Sequence, residues 1–260
     1  PLIKVSTGTQ VTMRDSQVRS ADGLASIAQG RLDLIGVDLE GIGSGIELQD
    51  DGRLVVEDTR FENVQNPVAV LSGTASLTDI EITADGENPA PTFRVQSGSL
   101  TCDRCDAALG ATTGSLFRAT GGTLTLVDSH LETLGHDTTG VVEVTGGAAS
   151  IQGSSIETQA GYAVLNLGGT ATVRDAALKV TGAGAAATSK TAAVHTVLHG
   201  VEAYAPPSGD AIRIWAGTAN LEDIVLNGAG NGVDIDVGGT TVPIDGLEVV
   251  QADGYGLSVA

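Results

Sequence analysis

Val11-Thr12-Met13-Arg14-Asp15-Ser16-Gln17-Val18 decides the fold, because this stretch keeps coming back. It returns as Leu54-Val55-Val56-Glu57-Asp58-Thr59-Arg60-Phe61, and again at residues 75–82, 124–131, 171–178 and 219–226. More divergent copies start at Leu32, Leu100, Ala149 and Val242, and the copy around Val197 is the least regular. The fifth position reads Asp15, Gly36, Asp58, Asp79, Arg104, Asp128, Gly153, Asp175, His199, Asp223 and Gly246. Ten steps carry residue 15 to residue 246, about 23 residues each. Self-similarity at that period means a solenoid, in which each unit buries its apolar face by stacking on its neighbours.

Within a unit, positions one and three are apolar, then six and eight. Alternation with period two marks strands with one buried face. Two polar residues between the pairs break the alternation and predict a bend. Asp and Gly tolerate the left-handed conformation such a bend needs. A second strand follows a variable loop, as in Gly45-Ile46-Glu47-Leu48, Phe93-Arg94-Val95, Val142-Glu143-Val144, Ile212-Arg213-Ile214 and Val233-Asp234-Ile235. A Gly usually closes it, as at Gly52, Gly73, Gly98, Gly122 and Gly217. No segment carries a sustained helical period with caps, which argues against βαβ folds.

These repeats resemble the right-handed parallel β-helix of the pectin-lyase-like superfamily, of the adhesin and surface-protein type. The resemblance covers nearly the whole chain. It implies an all-β solenoid of about eleven coils, and strand spacing of about 4.8 Å makes that a rod about 50 Å long. It does not select an activity, because lyases, hydrolases, phage tailspikes and adhesins share the architecture.

Composition agrees with one elongated domain over residues 1–260, without a linker or low-complexity tract. Apolar residues make up 41% of the chain and aromatics 3%, which suits a narrow core of Val, Ile, Leu and Ala. The net charge of −19 argues against nucleic acid, which needs a basic face. It equally argues against docking on anionic membranes, and no apolar run predicts membrane insertion. Pro1 to Gly8 aligns with Pro91 to Gly98, and the final Gly256-Leu257-Ser258-Val259 is again the second strand. The expectation is a segment of a longer array, or ends covered by other chains.

Candidate sites are few. Cys102 and Cys105 flank the bend at Asp103-Arg104, both at inward positions. Two readings stand: a pair of small buried residues, or a local disulfide that favours an oxidising compartment. No second Cys or His pair lies at zinc-ligand spacing. The Asp column, with Asp58, Asp79, Asp128 and Asp175 as its best cases, offers stacked carboxylates to Ca²⁺. Gly at 36, 153 and 246 cannot ligate through a side chain, so a backbone requirement explains the column better.

Outward positions of the first strand carry hydroxyl pairs: Thr74 and Ser76, Ser99 and Thr101, Thr123 and Thr125, Thr170 and Thr172. On a flat face these resemble the arrays of β-helical ice-binding proteins. Gly135-His136-Asp137 only partly matches a polygalacturonase-type motif, and no Gly-Asp-Asp is present. The pairs Asp50–Asp51 and Glu57–Asp58 read as a turn and a bend rather than as an acid–base couple. His199, Tyr204 and the single Trp, Trp215, fall in the irregular ninth coil, where a variable loop edge would bind a partner.

The leading expectation is a non-catalytic extracellular or cell-surface rod, structural or adhesive. Its contacts would be with itself or with other surface proteins, end to end or lateral, and with glycans. A polysaccharide lyase or hydrolase is the alternative, and an ice-binding protein the third. No cofactor is expected beyond Ca²⁺.

Overall fold

The computed structural model describes residues 1–84, 92–110, 114–134, 139–205, 209–228, 230–236, 241–252 and 254–259. It is a parallel β-solenoid of about ten turns, about 23 residues each, close to the expected eleven. Among the described residues there is no helix, and so none long and apolar enough to cross a membrane. Gly135, His136 and Asp137 lie outside the described residues, as do Pro206 and Pro207.

Each turn contributes three strands, and each pairs in parallel with its counterpart one turn away. The first ladder holds the strands before the bend, such as Arg53–Glu57 and Gly169–Arg174. The second holds those after it, such as Arg60–Glu62 and Ala177–Val180. The third holds the strands after the loop, such as Val68–Val70 and Asp210–Ile214. Three corners therefore run along the rod.

Register places like residues in columns. Val11, Leu32, Leu54, Ala75, Leu100, Leu124, Ala149 and Ala171 stack in the first ladder. One contiguous core runs from Val5 to Ile235. Phe93 stacks on Phe117 at 5.1 Å between centroids and meets Phe61 edge-on at 5.6 Å, so three of the chain's few aromatics form one internal pile.

The bend between the first two ladders has one backbone solution. Asp15, Asp58, Asp79, Arg104, Asp128, Asp175 and Asp223 all take φ between 44° and 52°. Gly36, Gly153 and Gly246 take the same left-handed region. The ninth coil needs a correction. Arg174 pairs with His199, so Asp175 faces Gly200, whose φ is 62°. Gly200, not His199, occupies the bend, and Thr196 rather than an apolar residue fills the next place in the Val11–Ala171 column.

That inward Thr196 explains why the copy looks irregular. It is buried with Asn166 and Ser189. Asn166 Nδ2 donates to Thr196 Oγ1 at 3.0 Å and to the His195 carbonyl at 3.1 Å, and Ser189 Oγ shares a proton with Thr196 Oγ1 at 2.7 Å. A polar knot replaces the apolar column there; its members pair with one another, while Asn166 Oδ1 is left buried without a partner.

Position six also departs from the apolar expectation. Thr59, Ser129 and Ser154 point inward and are buried. Each hydroxyl donates to the carbonyl two residues back, at 2.8–2.9 Å. Each also accepts an N–H from the preceding coil: Val37, Cys105 and Ser129 respectively. The left-handed bend tips these groups out of the ladder, and the hydroxyls satisfy them.

Candidate functional site

The Asp column follows the bend, where each of its members takes a left-handed φ. Where Gly follows Asp, the carboxylate leans over it. A Cβ on Gly153 would lie 2.2 Å from Asp128 Oδ1, and one on Gly200 2.7 Å from Asp175 Oδ1. Of the four candidates, only Asp58 and Asp79 are neighbours along the column. Arg104 then intervenes, and its guanidinium grips Asp79 through Nε–Oδ1 at 2.6 Å and Nη2–Oδ2 at 2.8 Å. This hydrogen bond holds the Asp79 carboxyl below its ordinary range, against the opposing effect of burial. Asp79 is therefore an anion at neutral pH and a poor proton donor.

Asp58 and Asp79 line an open groove with Asp38, Thr59, Arg60 and Glu81. Its walls carry no aromatic and no apolar side chain, so a sugar ring would find no stacking surface there. Asp50 and Asp51 are both left-handed, at φ 49° and 64°, as a turn requires.

Cys102 and Cys105 are joined by a disulfide across the bend, three residues apart, and both are buried. Arg104, between them in the chain, points outward to Asp79 and Asp103.

The three loop-edge candidates do not come together. His199 ends a first-ladder strand, Tyr204 a second-ladder strand, and Trp215 follows a third-ladder strand, so each sits at a different corner. Tyr204 donates to Glu202, whose carboxylate pushes its phenol pKa up.

His199 Nε2 lies 3.9 Å from both Glu222 Oε2 and Asp223 Oδ2. These three are the one group among the described residues with a His and two carboxylates close enough to hold a metal ion. Its Nδ1 is buried without a hydrogen-bond partner, so no outer group fixes the ring tautomer as metal sites require.

Trp215 has the richest surroundings. The residue is 41% exposed, and its Nε1 donates to Asp234 Oδ2 at 3.1 Å. Arg213 Cζ lies 5.2 Å and Lys190 Nζ 5.9 Å from its ring centroid. Lys190 donates to the Tyr162 hydroxyl at 2.8 Å. Buried Asp210 accepts from Arg213 Nε, from Asn231 Nδ2 at 2.7 Å and from the Tyr255 hydroxyl at 3.5 Å. Burial, then Asp210 and Asp234, push the Tyr255 phenol pKa up.

Lys190, Arg213, Asp210 and Asp234 were not visible as a group in the sequence. The signal was register: Arg213 pairs with both Thr188 and Asp234, and Trp215 N–H bonds the Ser189 carbonyl at 3.0 Å, beside Lys190.

The hydroxyl pairs do form two columns. Thr74, Ser99 and Thr123 align, then Ala148 and Thr170, while Ser76, Thr101, Thr125, Ser150 and Thr172 align beside them.

The chain matches no family model, no curated protein and no solved structure.

Proposed function

We propose that this protein is a non-catalytic rod at the cell surface or outside the cell, a structural and adhesive component rather than an enzyme. One observation carries the reading: the core runs unbroken through the turns, while the acid-lined groove along the bend lacks the walls that hold a substrate. A continuous core and three parallel ladders make a stiff spacer. The buried disulfide favours an oxidising compartment. The charge of −19 keeps neighbouring rods soluble and limits contact to chosen surfaces. Those contacts are with other copies or with other surface proteins, end to end or lateral.

Electron microscopy of the protein from its native source tests this. Filaments or a surface lattice repeating with the rod are expected. A monodisperse monomer away from the surface, together with depolymerisation of a glycan, overturns the reading in favour of a carbohydrate-active enzyme.

A second reading rests on the hydroxyl columns, which span five consecutive turns without a charged side chain on a chain of −19. A flat, uncharged array of methyl and hydroxyl groups suits ordered water. Thermal hysteresis that disappears in Thr123→Tyr and Thr172→Tyr would establish ice binding, and its absence in the parent protein removes it.

A further inference from the structure

The four aromatics outside the Phe pile are not scattered. Tyr162, Trp215 and Tyr255 gather around Lys190, Arg213 and Asp210, and only Tyr204 stands apart. We propose that Trp215 is the stacking platform of a saccharide-binding site, with Asp234 and Lys190 as its polar contacts and a neutral sugar unit as its ligand. This deepens the adhesive part of the function proposed above and rests on it, naming the class of partner.

A sugar site needs a flat aromatic surface that is exposed but fixed, with hydrogen-bonding groups at its edge. Trp215 meets both demands. Trp215 is exposed at the corner between the third and first ladders, in the three-residue connection between Asp210–Ile214 and Thr218–Asn227 rather than on a long loop. Its N–H is held by Asp234, and Arg213, anchored in turn by Asp210, packs against the ring. Little side-chain freedom is left to lose when a ligand stacks on it.

The rim is polar. Asp236 follows Trp215 in the ladder and is exposed, with its N–H on the Ile214 carbonyl at 2.9 Å. Lys190 is half-buried and has no carboxylate partner among the described residues, whereas the other lysines and arginines described without such a partner are exposed. Carboxylates accept from sugar hydroxyls, and an ammonium donates to them.

Charge chooses the ligand class. Lys190 and Arg213 are outnumbered locally by Asp210, Asp234 and Asp236, on a rod of −19. An anionic saccharide is repelled at short and long range, and a neutral one is not.

Trp215 is the only Trp in the chain, so its emission reports this site alone. The intact protein is titrated with neutral oligosaccharides of glucose, galactose, mannose and N-acetylglucosamine, and separately with an oligohexuronate. A saturable change in emission with at least one neutral saccharide is expected, weakened about tenfold or more in Trp215→Ala when followed by calorimetry. Asp234→Asn is expected to weaken it several-fold with unchanged circular dichroism, which keeps the test independent of any folding loss in the first variant. No saturable change with any neutral saccharide at tens of millimolar overturns the proposal, and so does binding of the hexuronate alone. Adhesion of Trp215→Ala rods to the native surface, undiminished, also overturns this site while leaving the adhesive rod standing.

Discussion

Arg104 forks onto Asp79 from one turn away, with both carboxylate oxygens engaged at 2.6 and 2.8 Å. Arg104 also sits at the left-handed bend, where φ of 52° is costly for a long side chain. The ion pair compensates for that strain and separates Asp79 from Asp128, the next acid of the column. Asp79 has its carboxyl lowered from 3.8, so the pair stabilises the fold at pH values above the ordinary carboxylate range. The contribution is lost as pH falls through the native value. Arg104→Ala is expected to lower Tm at pH 7, and the gap from the parent protein should narrow below about pH 4 and in molar salt. A gap independent of both pH and salt would assign the loss to packing instead.

Ser129 is a buried hydrogen-bond relay. Its hydroxyl accepts from the Cys105 N–H at 3.1 Å and donates to the Val127 carbonyl at 2.8 Å. Ser129→Ala leaves both without that partner, and a loss of about 1–3 kcal/mol is expected in urea unfolding. An apolar position would instead be indifferent to the change, so a neutral result refutes the relay.

Gly98 lies where the chain turns from the third ladder into the first, at φ 88°. A Cβ there would approach the Gly73 carbonyl oxygen to 2.1 Å. Gly98→Ala is expected to cost more than about 2 kcal/mol, because strain and the clash add. Ala at the exposed Gly8, also at positive φ but with nothing within 4 Å, should cost about 1 kcal/mol. Equal losses at the two sites would show that backbone strain alone matters.

Cys102 and Cys105 are buried in the native state, so alkylating reagents and mild reductants should not reach them without unfolding. Mass spectrometry with and without denaturant reads this directly. The loop they close spans only a few residues, so replacing both by Ala should cost about 2 kcal/mol at most through chain entropy. Native-state alkylation would place the pair at the surface.

Much of the architecture was legible locally. Val11, Met13, Ser16 and Val18 show which residues share a face, since alternation is a property of the strand itself. Asp15 and Gly36 show where the chain bends, because left-handed φ restricts the residue type wherever it occurs. Cys102 and Cys105 were brought within reach by the same bend. The inward hydroxyls of Ser129 and Ser154 were not legible, because their partners belong to the preceding coil.

The sequence by itself therefore determined the repeat, the strand faces and the bend, all set by short-range sterics and by burial of alternate apolar groups. The tertiary structure alone decided who faces whom across coils. Steps along the bend column range from 21 residues, Asp15 to Gly36, to 25, Asp79 to Arg104. Loop length absorbs the difference, and an average period cannot say where. That is why Gly200 rather than His199 holds the ninth bend, and why Thr196 points inward to Asn166. It also sets Lys190, Arg213 and Asp234 around Trp215. Register is enforced by ladder hydrogen bonds between segments more than twenty residues apart, and only the folded stack brings them into contact.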